Sequence, residues 1–416
     1  MKSGHNKNAY AVWKIADFRW LIIGRFFMTI GIQMQSVIVG WQVYELTKDP
    51  FSLGLIGLAE VVPFLALALF AGHVADKVIR KNIIVLTTCL YILCAFLLLI
   101  LSYKMQHMYQ SIGILPLYLV IAFTGIVRAF FYPAQSAYMA QIVPKELYPN
   151  SSTWNSIVWH IAAVTGPAIG GLAYGFFGIH KAYMLVLAFA STSIFFFLNT
   201  RSMPVPARDE NEGILKSLAD GIRFVLHKQA LVGSMALDMF GVLFGGAVAL
   251  LPVFAAEVLK VGPQGLGVLR AAPAIGAVCM SMVLAYFPPV SKTGYKLFAG
   301  TAGFGICMIA FAISRNFWLS LSILIVSGMF DNISVVIRST ILQLYTPDAM
   351  RGRVASVNSI FIGSSNELGS FESGLAARLL GLIPSVIFGG GMTLLVVTLT
   401  MRFAPVLRKM EIKKLN

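Results

Sequence analysis

The feature that most constrains this chain is a series of long apolar runs separated by short polar breaks. Runs of 18 or more residues fall at about 18–44, 51–74, 82–103, 112–140, 151–177, 181–198, 229–254, 265–287, 296–313, 318–344, 354–379 and 385–404. An α-helix needs about 20 apolar residues to cross a bilayer, and inside lipid only helices or closed barrels satisfy every backbone hydrogen bond. The runs therefore predict an all-α integral membrane protein with 12 transmembrane helices, here spans 1 to 12.

Composition closes off the other classes. Counted with glycine and without tyrosine, apolar residues make up about 63% of the chain, and charged residues make up 12%, where a soluble domain has roughly 45–50% and 25%. An ordinary soluble enzyme and a disordered chain are both excluded. The four cysteines, Cys89, Cys94, Cys279 and Cys307, lie inside apolar runs, which excludes a secreted disulfide scaffold. The first run is too long, and too rich in Arg25, Gln33, Gln35 and Gln42, for a cleaved signal peptide, and no small-residue cleavage site follows it.

The net charge of +15 invites an acidic partner such as nucleic acid, but the positions of Lys and Arg give a different reason for it. With both termini cytoplasmic, 22 of the 32 basic residues fall in inner segments. The outer breaks hold 6 (Lys48, Lys104, Lys181, Lys260, Arg315 and Arg378) and the spans hold 4. That asymmetry is the positive-inside rule, so the expectation is a multi-pass membrane protein with the lipid bilayer as partner and no nucleic acid.

The longest inner segment joins six spans to six. It opens with the turn-rich, charged stretch from Arg201 to Glu212 and continues from Ile214 with Leu215, Leu218, Ile222, Val225 and Leu226 at helical spacing. The expected organisation is an N-terminal six-helix bundle at 1–198, a cytoplasmic linker with an amphipathic surface helix at 199–228, and a C-terminal six-helix bundle at 229–416. The halves are related at an offset of 203 residues. Thr124-Gly125 meets Ser327-Gly328, Pro144 meets Pro347, Asn155-Ser-Ile157 meets Asn358-Ser-Ile360, Gly166 meets Gly369 and Gly171-Leu-Ala173 meets Gly374-Leu-Ala376. Such a duplication is how transporters build two bundles around a central site.

Between spans 2 and 3 stands Gly72-His-Val-Ala-Asp76-Lys77-Val-Ile-Arg80-Lys81. It resembles the cytoplasmic loop signature of the major facilitator superfamily, with Ile79 in place of the usual glycine. The resemblance implies that fold, two pseudo-symmetric six-helix bundles. It also implies a conformational-switch role for Asp76, with Arg80 and Lys81 as companions; Gly72 is expected to let two helices approach. Read without the resemblance, the stretch is a basic inner loop anchored to headgroups. Span 5 carries Gly166-Pro167-Ala-Ile-Gly170-Gly171, similar to the core of the superfamily's antiporter motif, although the upstream glycine is replaced by Ala162. It favours export. In span 4 the superfamily's arginine position holds Ile121, while Arg128 sits three residues after Gly125, so that arginine's proton-coupling role is not carried over. Within the superfamily the chain most resembles the enterobactin and macrolide exporter group. The segments that carry this are Phe18-Arg-Trp-Leu-Ile-Ile-Gly-Arg25-Phe, the loop above, the helix from Leu215, and Leu342-Gln-Leu-Tyr-Thr-Pro347-Asp-Ala-Met-Arg-Gly-Arg353-Val.

Ionisable groups deep in a bilayer cost a few kcal/mol each and are functional candidates by default. Here they are Arg25, Glu60, Arg128, Asp238, Arg270, Asp331, Arg338, Glu367 and Glu372. All lie on spans that, by resemblance, line or flank the cavity. A proton carrier must be an acid whose affinity for the proton changes as its surroundings dry out or a cation approaches. Asp331 and Asp238 come first for that role, with Glu60 and Glu367 behind them and Glu372, His160 and His73 lower. Arg25, Gln33, Arg128, Tyr132, Gln135, Arg270 and Arg338 are the substrate-cavity candidates, because Arg128, Phe131, Tyr132, Gln135 and Ser136 share one helical face. A second reading of the arginines stays open, in which they only pair with carboxylates to hold the bundles together.

No metal-ligand spacing, phosphate loop, nucleophile triad or ATP motif occurs, so no enzyme activity and no cofactor or metal is expected. The expectation is a monomeric, proton-coupled exporter (antiporter) of a small amphipathic molecule such as a siderophore or drug, working by alternating access. The alternatives are an importer or lysophospholipid flippase of the same fold and, from another class, a membrane-embedded scaffold or enzyme.

Overall fold

The structure, a computed structural model, describes residues 10–205, 214–347 and 350–411; some side chains within helices, His73 and Asp76 among them, lie outside the described set. Among the described residues there is no strand. The long helices are α1 (Ala16–Thr47), α2 (Pro50–Lys77), α3 (Arg80–Ile112), α4 (Leu115–Ile142), α5 (Tyr148–Leu198), α6 (Ile214–Leu226), α7 (Gln229–Gly245), α8 (Gly262–Tyr286), α9 (Thr293–Ile313), α10 (Phe317–Tyr345), α11 (Arg351–Leu380) and α12 (Leu382–Phe403). The helix α5 holds spans 5 and 6, separated at Gly178, whose φ of 80° and ψ of 169° are open only to glycine. The helix α6 is the predicted amphipathic helix. Among the described residues helix covers all twelve predicted positions, with ends within three residues of expectation in all but two places, and 10 helices are long and apolar enough to cross a membrane.

The two differences have local causes. The helix α3 continues past residue 103 because Lys104 to Ile112 are compatible with a helix although no longer apolar; it stops at Gly113, with φ 64°, as a C-terminal glycine cap. Span 7 is not one helix. It breaks at Gly246 (φ −78°, ψ 65°) and continues as a 3-10 turn over Ala247–Leu250, a short α turn over Leu251–Val253 and a π turn over Phe254–Val258.

The chain divides into two compact units. The first comprises Met1–Val39 and Val62–Arg208, the second Gly40–Val61 and Asp209–Asn416. In the first, α3 packs on α4 and α5, and Phe18, Ile22, Tyr91, Phe131, Tyr138 and Phe197 form the core. In the second, α9 packs on α10 and α12, α8 on α10, and α7 on α11 and α12, around Leu231, Leu237, Phe298 and Ile341. Against lipid tails this burial gains little from the hydrophobic effect, so close packing carries the association. The duplicated glycines show it. Gly166 of α5 lies so close to α1 that an added Cβ would stand 2.6 Å from the Gln33 Cβ and 3.1 Å from the Ile30 carbonyl oxygen. Its repeat partner Gly369 of α11 meets the Leu243 carbonyl oxygen of α7 at 2.9 Å in the same sense.

Chain order alone puts the hairpin end Gly40–Val61 with the first bundle, whereas it packs within the second unit. There Tyr44 donates a hydrogen bond to Glu257, Asp49 pairs with Arg378 at 3.8 Å, and the backbones at Gly54 and Gly374 touch because neither carries a side chain. The amphipathic α6 also belongs to this unit. It packs on α11, where Gly221 admits the Arg353 carbonyl and Arg353 Nη1 meets Asp220 Oδ2 at 3.2 Å.

Candidate functional site

Two sets of predicted residues come together in the second unit. On α7 and α10, Arg338 forms an ion pair with Asp238, both side chains more than nine-tenths buried. Asp331, two helical turns before Arg338, lines the same small cavity as Asp238, together with Thr301 and Phe304 of α9 and Ser334 of α10. The cavity leaves about 10 Å³ for the centre of a water molecule, close to the least that one water needs. The Thr301 hydroxyl donates to the Ser334 hydroxyl at 3.5 Å. Among the described residues Asp331 has no ion-pair partner. One guanidinium thus pairs with one of two carboxylates that line a cavity with room for about a single water.

The second set surrounds the break in span 7. Breaking a helix inside a membrane frees backbone carbonyls that protein groups must satisfy. Here Arg270 Nη1 of α8 donates to the Val248 carbonyl at 3.3 Å, and the Ser373 hydroxyl of α11 donates to the Gly246 carbonyl at 3.1 Å. The Arg270 guanidinium also interacts electrostatically with Glu367 of α11 and Glu60 of α2. An added Cβ on Gly57 would stand 2.6 Å from the Glu367 carbonyl oxygen, so the two helices touch beside these carboxylates. Arg270 is therefore a backbone-holding and charge-pairing group. Glu372 lies on the same helix, half-buried.

The first unit gathers different chemistry. Arg128 of α4 lies over the Tyr132 ring, 5.6 Å from its centroid, and Arg25 of α1 is in the neighbourhood of the same tyrosine. Tyr132 is 37% exposed, whereas Phe131 and Gln135 are 2% and 3% exposed. The single face expected on span 4 therefore splits. Arg128, Tyr132 and Ser136, at i, i+4 and i+8, form the open side, while Phe131 and Gln135 lie on the other side of Arg128, centred about 80° round the helix from that side, and turn into the core. Gln135 leaves the set of exposed candidates for that reason, and Gln33 belongs to the α1–α5 seam at Gly166.

The basic residues of the loop signature act on helix ends. Arg80 Nε donates to the Ala75 carbonyl at 3.2 Å and its Nη1 to the Ala137 carbonyl of α4 at 3.4 Å; Lys81 Nζ donates to the Leu198 carbonyl at 2.8 Å. Cations on the free carbonyls of helix C-termini are favourable there. Lys77 is exposed, and the side chain of Asp76 lies outside the described residues. Gly72 corrects an expectation: an added Cβ would meet nothing within 4 Å, so no close helix approach explains it. In the span 5 motif Gly170 lies 3.0 Å from the Met34 backbone, while Pro167 and Gly171 are buried. The motif serves the α1–α5 crossing.

Two features escaped sequence reasoning. The break at Gly246 sits in an uninterrupted apolar run, where only the neighbouring glycines hinted at it. The Tyr44–Glu257 hydrogen bond joins residues 213 positions apart, and no local pattern marks it.

Comparison with known proteins agrees with this architecture. The family described as transmembrane secretion effector, one of the major facilitator superfamily, matches residues 7–416. The enterobactin exporters EntS of Shigella boydii serotype 18 and Escherichia coli O139:H28 are each 26% identical over 340 residues, covering 81% of this chain and 79% of the relative. Among solved structures, a bacterial homologue of the iron transporter ferroportin in an inward-facing state aligns with a TM-score of 0.72 at 17% identity, covering 95% of this chain and 99% of its own. The POT family transporter PepTSo aligns with a TM-score of 0.74 at 14% identity, over 95% and 99%. These are transporters and not enzymes, and the chain belongs to the transmembrane secretion effector family of the major facilitator superfamily.

Proposed function

We propose that the protein is a proton-coupled exporter of a small amphipathic molecule, such as a siderophore or drug, in the bacterial inner membrane, with both termini cytoplasmic and alternating access as its mechanism. The observation that carries the reading is the sorting of charge at membrane depth. The first unit offers arginines beside an aromatic ring, and the second offers more carboxylates than arginines. At Asp238, Arg338 and Asp331, the single guanidinium neutralises one acid and leaves the other to exchange a proton with a water in the small cavity. The Gly246 break supports the same reading, because discontinuous helices are where secondary transporters place coupling and substrate groups. The relationship to the enterobactin exporters supports outward transport.

The cargo is sought by screening a deletion strain across siderophores, antibiotics and lysophospholipids for accumulation or sensitivity; a response to lysophospholipids alone would favour a flippase. With the cargo found, efflux driven by a pH gradient is measured in proteoliposomes for Asp331→Asn, Asp238→Asn, Glu60→Gln and Glu367→Gln. Loss of coupling in at least one is expected, and full coupling in all four refutes the proposal.

A further inference from the structure

The second unit carries a groove at its predicted cytoplasmic end that transport does not explain. It opens where α6 ends, α7 begins and α12 ends, and has a volume of about 430 Å³. Leu226, His227, Val232, Leu399, Thr400 and Phe403 are among the residues that line it. The Gln229 side-chain amide donates to the Phe403 carbonyl at 3.1 Å and ties two of its walls together. Three of its apolar side chains, Leu226, Leu399 and Phe403, are 64%, 45% and 70% exposed. Lys228 and Arg402, each next to a lining residue in the chain, are exposed, as is Arg223, one helical turn before His227. Residues 221–237 and 391–410 contain no Asp or Glu.

Two further features favour an anion at the mouth of the groove. His227 Nδ1–H donates to the Arg223 carbonyl at 2.7 Å; a carbonyl only accepts, so Nε2 is the ring nitrogen left for a ligand. No side chain caps the N-terminus of α7, and that end of a helix carries partial positive charge. Val232 and Leu399 stand one helical turn deeper than Lys228 and Phe403, about 5–6 Å further into the membrane. Positive charge at the surface above an apolar trough matches the phosphate and upper acyl chain of a lipid. A soluble anion would leave the trough in water, and a zwitterionic lipid would leave the cations without a net counter-charge. We propose that this groove binds an anionic phospholipid of the cytoplasmic leaflet, with its phosphate at Lys228, Arg402 and His227 and an acyl chain along Val232 and Leu399. The site does not depend on the direction or coupling of transport.

The test uses the full-length protein in detergent, titrated with phosphatidylglycerol or phosphatidylethanolamine, with bound lipids counted by native mass spectrometry. Phosphatidylglycerol is expected to fill one site more tightly than phosphatidylethanolamine does. Lys228→Gln combined with Arg402→Gln should weaken that site on the order of tenfold. Leu399→Trp, which narrows the trough and leaves the charge unchanged, should weaken it too. Lys145→Gln combined with Lys296→Gln removes the same charge from exposed positions elsewhere on the predicted inner face and should leave the site unchanged. Equal affinity for the two lipids, or equal weakening by the two charge-removing pairs, overturns the proposal: the first leaves only unselective boundary lipid, the second only a diffuse surface field. Displacement of the bound lipid by excess inorganic phosphate also overturns it, since the site would then take a free anion. If the groove variants do not fold, hydrogen exchange of the unmodified protein in nanodiscs decides. Amides 229–231 should exchange more slowly in phosphatidylglycerol than in phosphatidylcholine, with no change at 293–296, where α9 starts. Equal exchange in both lipids, or the same slowing at both helix starts, refutes the site.

Discussion

Neutralising Asp238 and neutralising Asp331 should have opposite signatures, although both are aspartates on the same small cavity. In the Asp238–Arg338 pair the side chains are 9% and 7% exposed. Asp238→Asn therefore leaves a buried guanidinium without its counter-charge. Breaking one side of a buried pair costs about 3–5 kcal/mol, because the remaining charge keeps its desolvation penalty. Adding Arg338→Met removes that orphan charge, and the double variant should return to within about 1 kcal/mol of the parent, since a buried pair replaced by apolar groups is often neutral. Asp331 has no ion-pair partner among the described residues. Asp331→Asn is near-isosteric and should cost about 0.5 kcal/mol or less, while removing the group that exchanges the proton. Unfolding in mixed micelles titrated with dodecyl sulfate reads the stabilities, and pH-gradient efflux reads the coupling. An Asp238→Asn variant as stable as the parent, or a double variant no better than the single, would refute the argument from burial. An Asp331→Asn variant with full coupling would move the carrier elsewhere.

Other outcomes follow from the packing and topology. Gly166→Ala puts a methyl 2.6 Å from the Gln33 Cβ; overpacking of about 1–3 kcal/mol outweighs the roughly 0.5–1 kcal/mol gained in helix propensity, so the same unfolding assay should show a net loss of about 1–2 kcal/mol. Gly72→Ala meets open space and should be neutral or stabilise by about 0.5–1 kcal/mol; a loss equal to that of Gly166→Ala contradicts the packing account. Tyr44→Phe removes the hydrogen bond to Glu257 and should cost about 1.5–3 kcal/mol, the range for a bond to a charged group; an unchanged unfolding midpoint would count against that bond. A green fluorescent protein fused after Asn416 should fluoresce and an alkaline phosphatase fused there should be inactive, as a cytoplasmic C-terminus requires; the reverse pattern inverts the topology.

Much of the site was visible residue by residue before any helix was placed beside another. The nine deep charges stand out because lipid penalises each of them independently of its neighbours. Their partners were not visible. Asp238 and Arg338 are a hundred residues apart, and on spacing alone Arg338 could have faced Asp331, Glu367 or Glu60 and Asp238 could have faced Arg270. The face of α4 shows the limit within one helix. Periodicity groups Arg128, Phe131, Tyr132, Gln135 and Ser136, but the position of the neighbouring helices decides that the core boundary runs between Phe131 and Tyr132. Gly72 and Gly166 are the same residue type in two family-like motifs, and only the atoms opposite them separate a packing glycine from one in open space.

What the amino-acid order carries by itself is what the bilayer reads one segment at a time: a series of apolar helical spans, an expected orientation, and a sequence pattern that repeats between the two halves. Each depends on local hydropathy and on where Lys and Arg fall, and neither needs a partner helix. The tertiary structure alone decided that Asp238 is paired with Arg338 while Asp331 has no ion-pair partner among the described residues, that span 7 opens at Gly246 with Arg270 and Ser373 holding the freed carbonyls, and that Gly40–Val61 packs with the second unit. Those outcomes depend on which helical faces meet, and in lipid that is settled by close packing and hydrogen bonds between segments far apart in the chain, which no periodicity encodes.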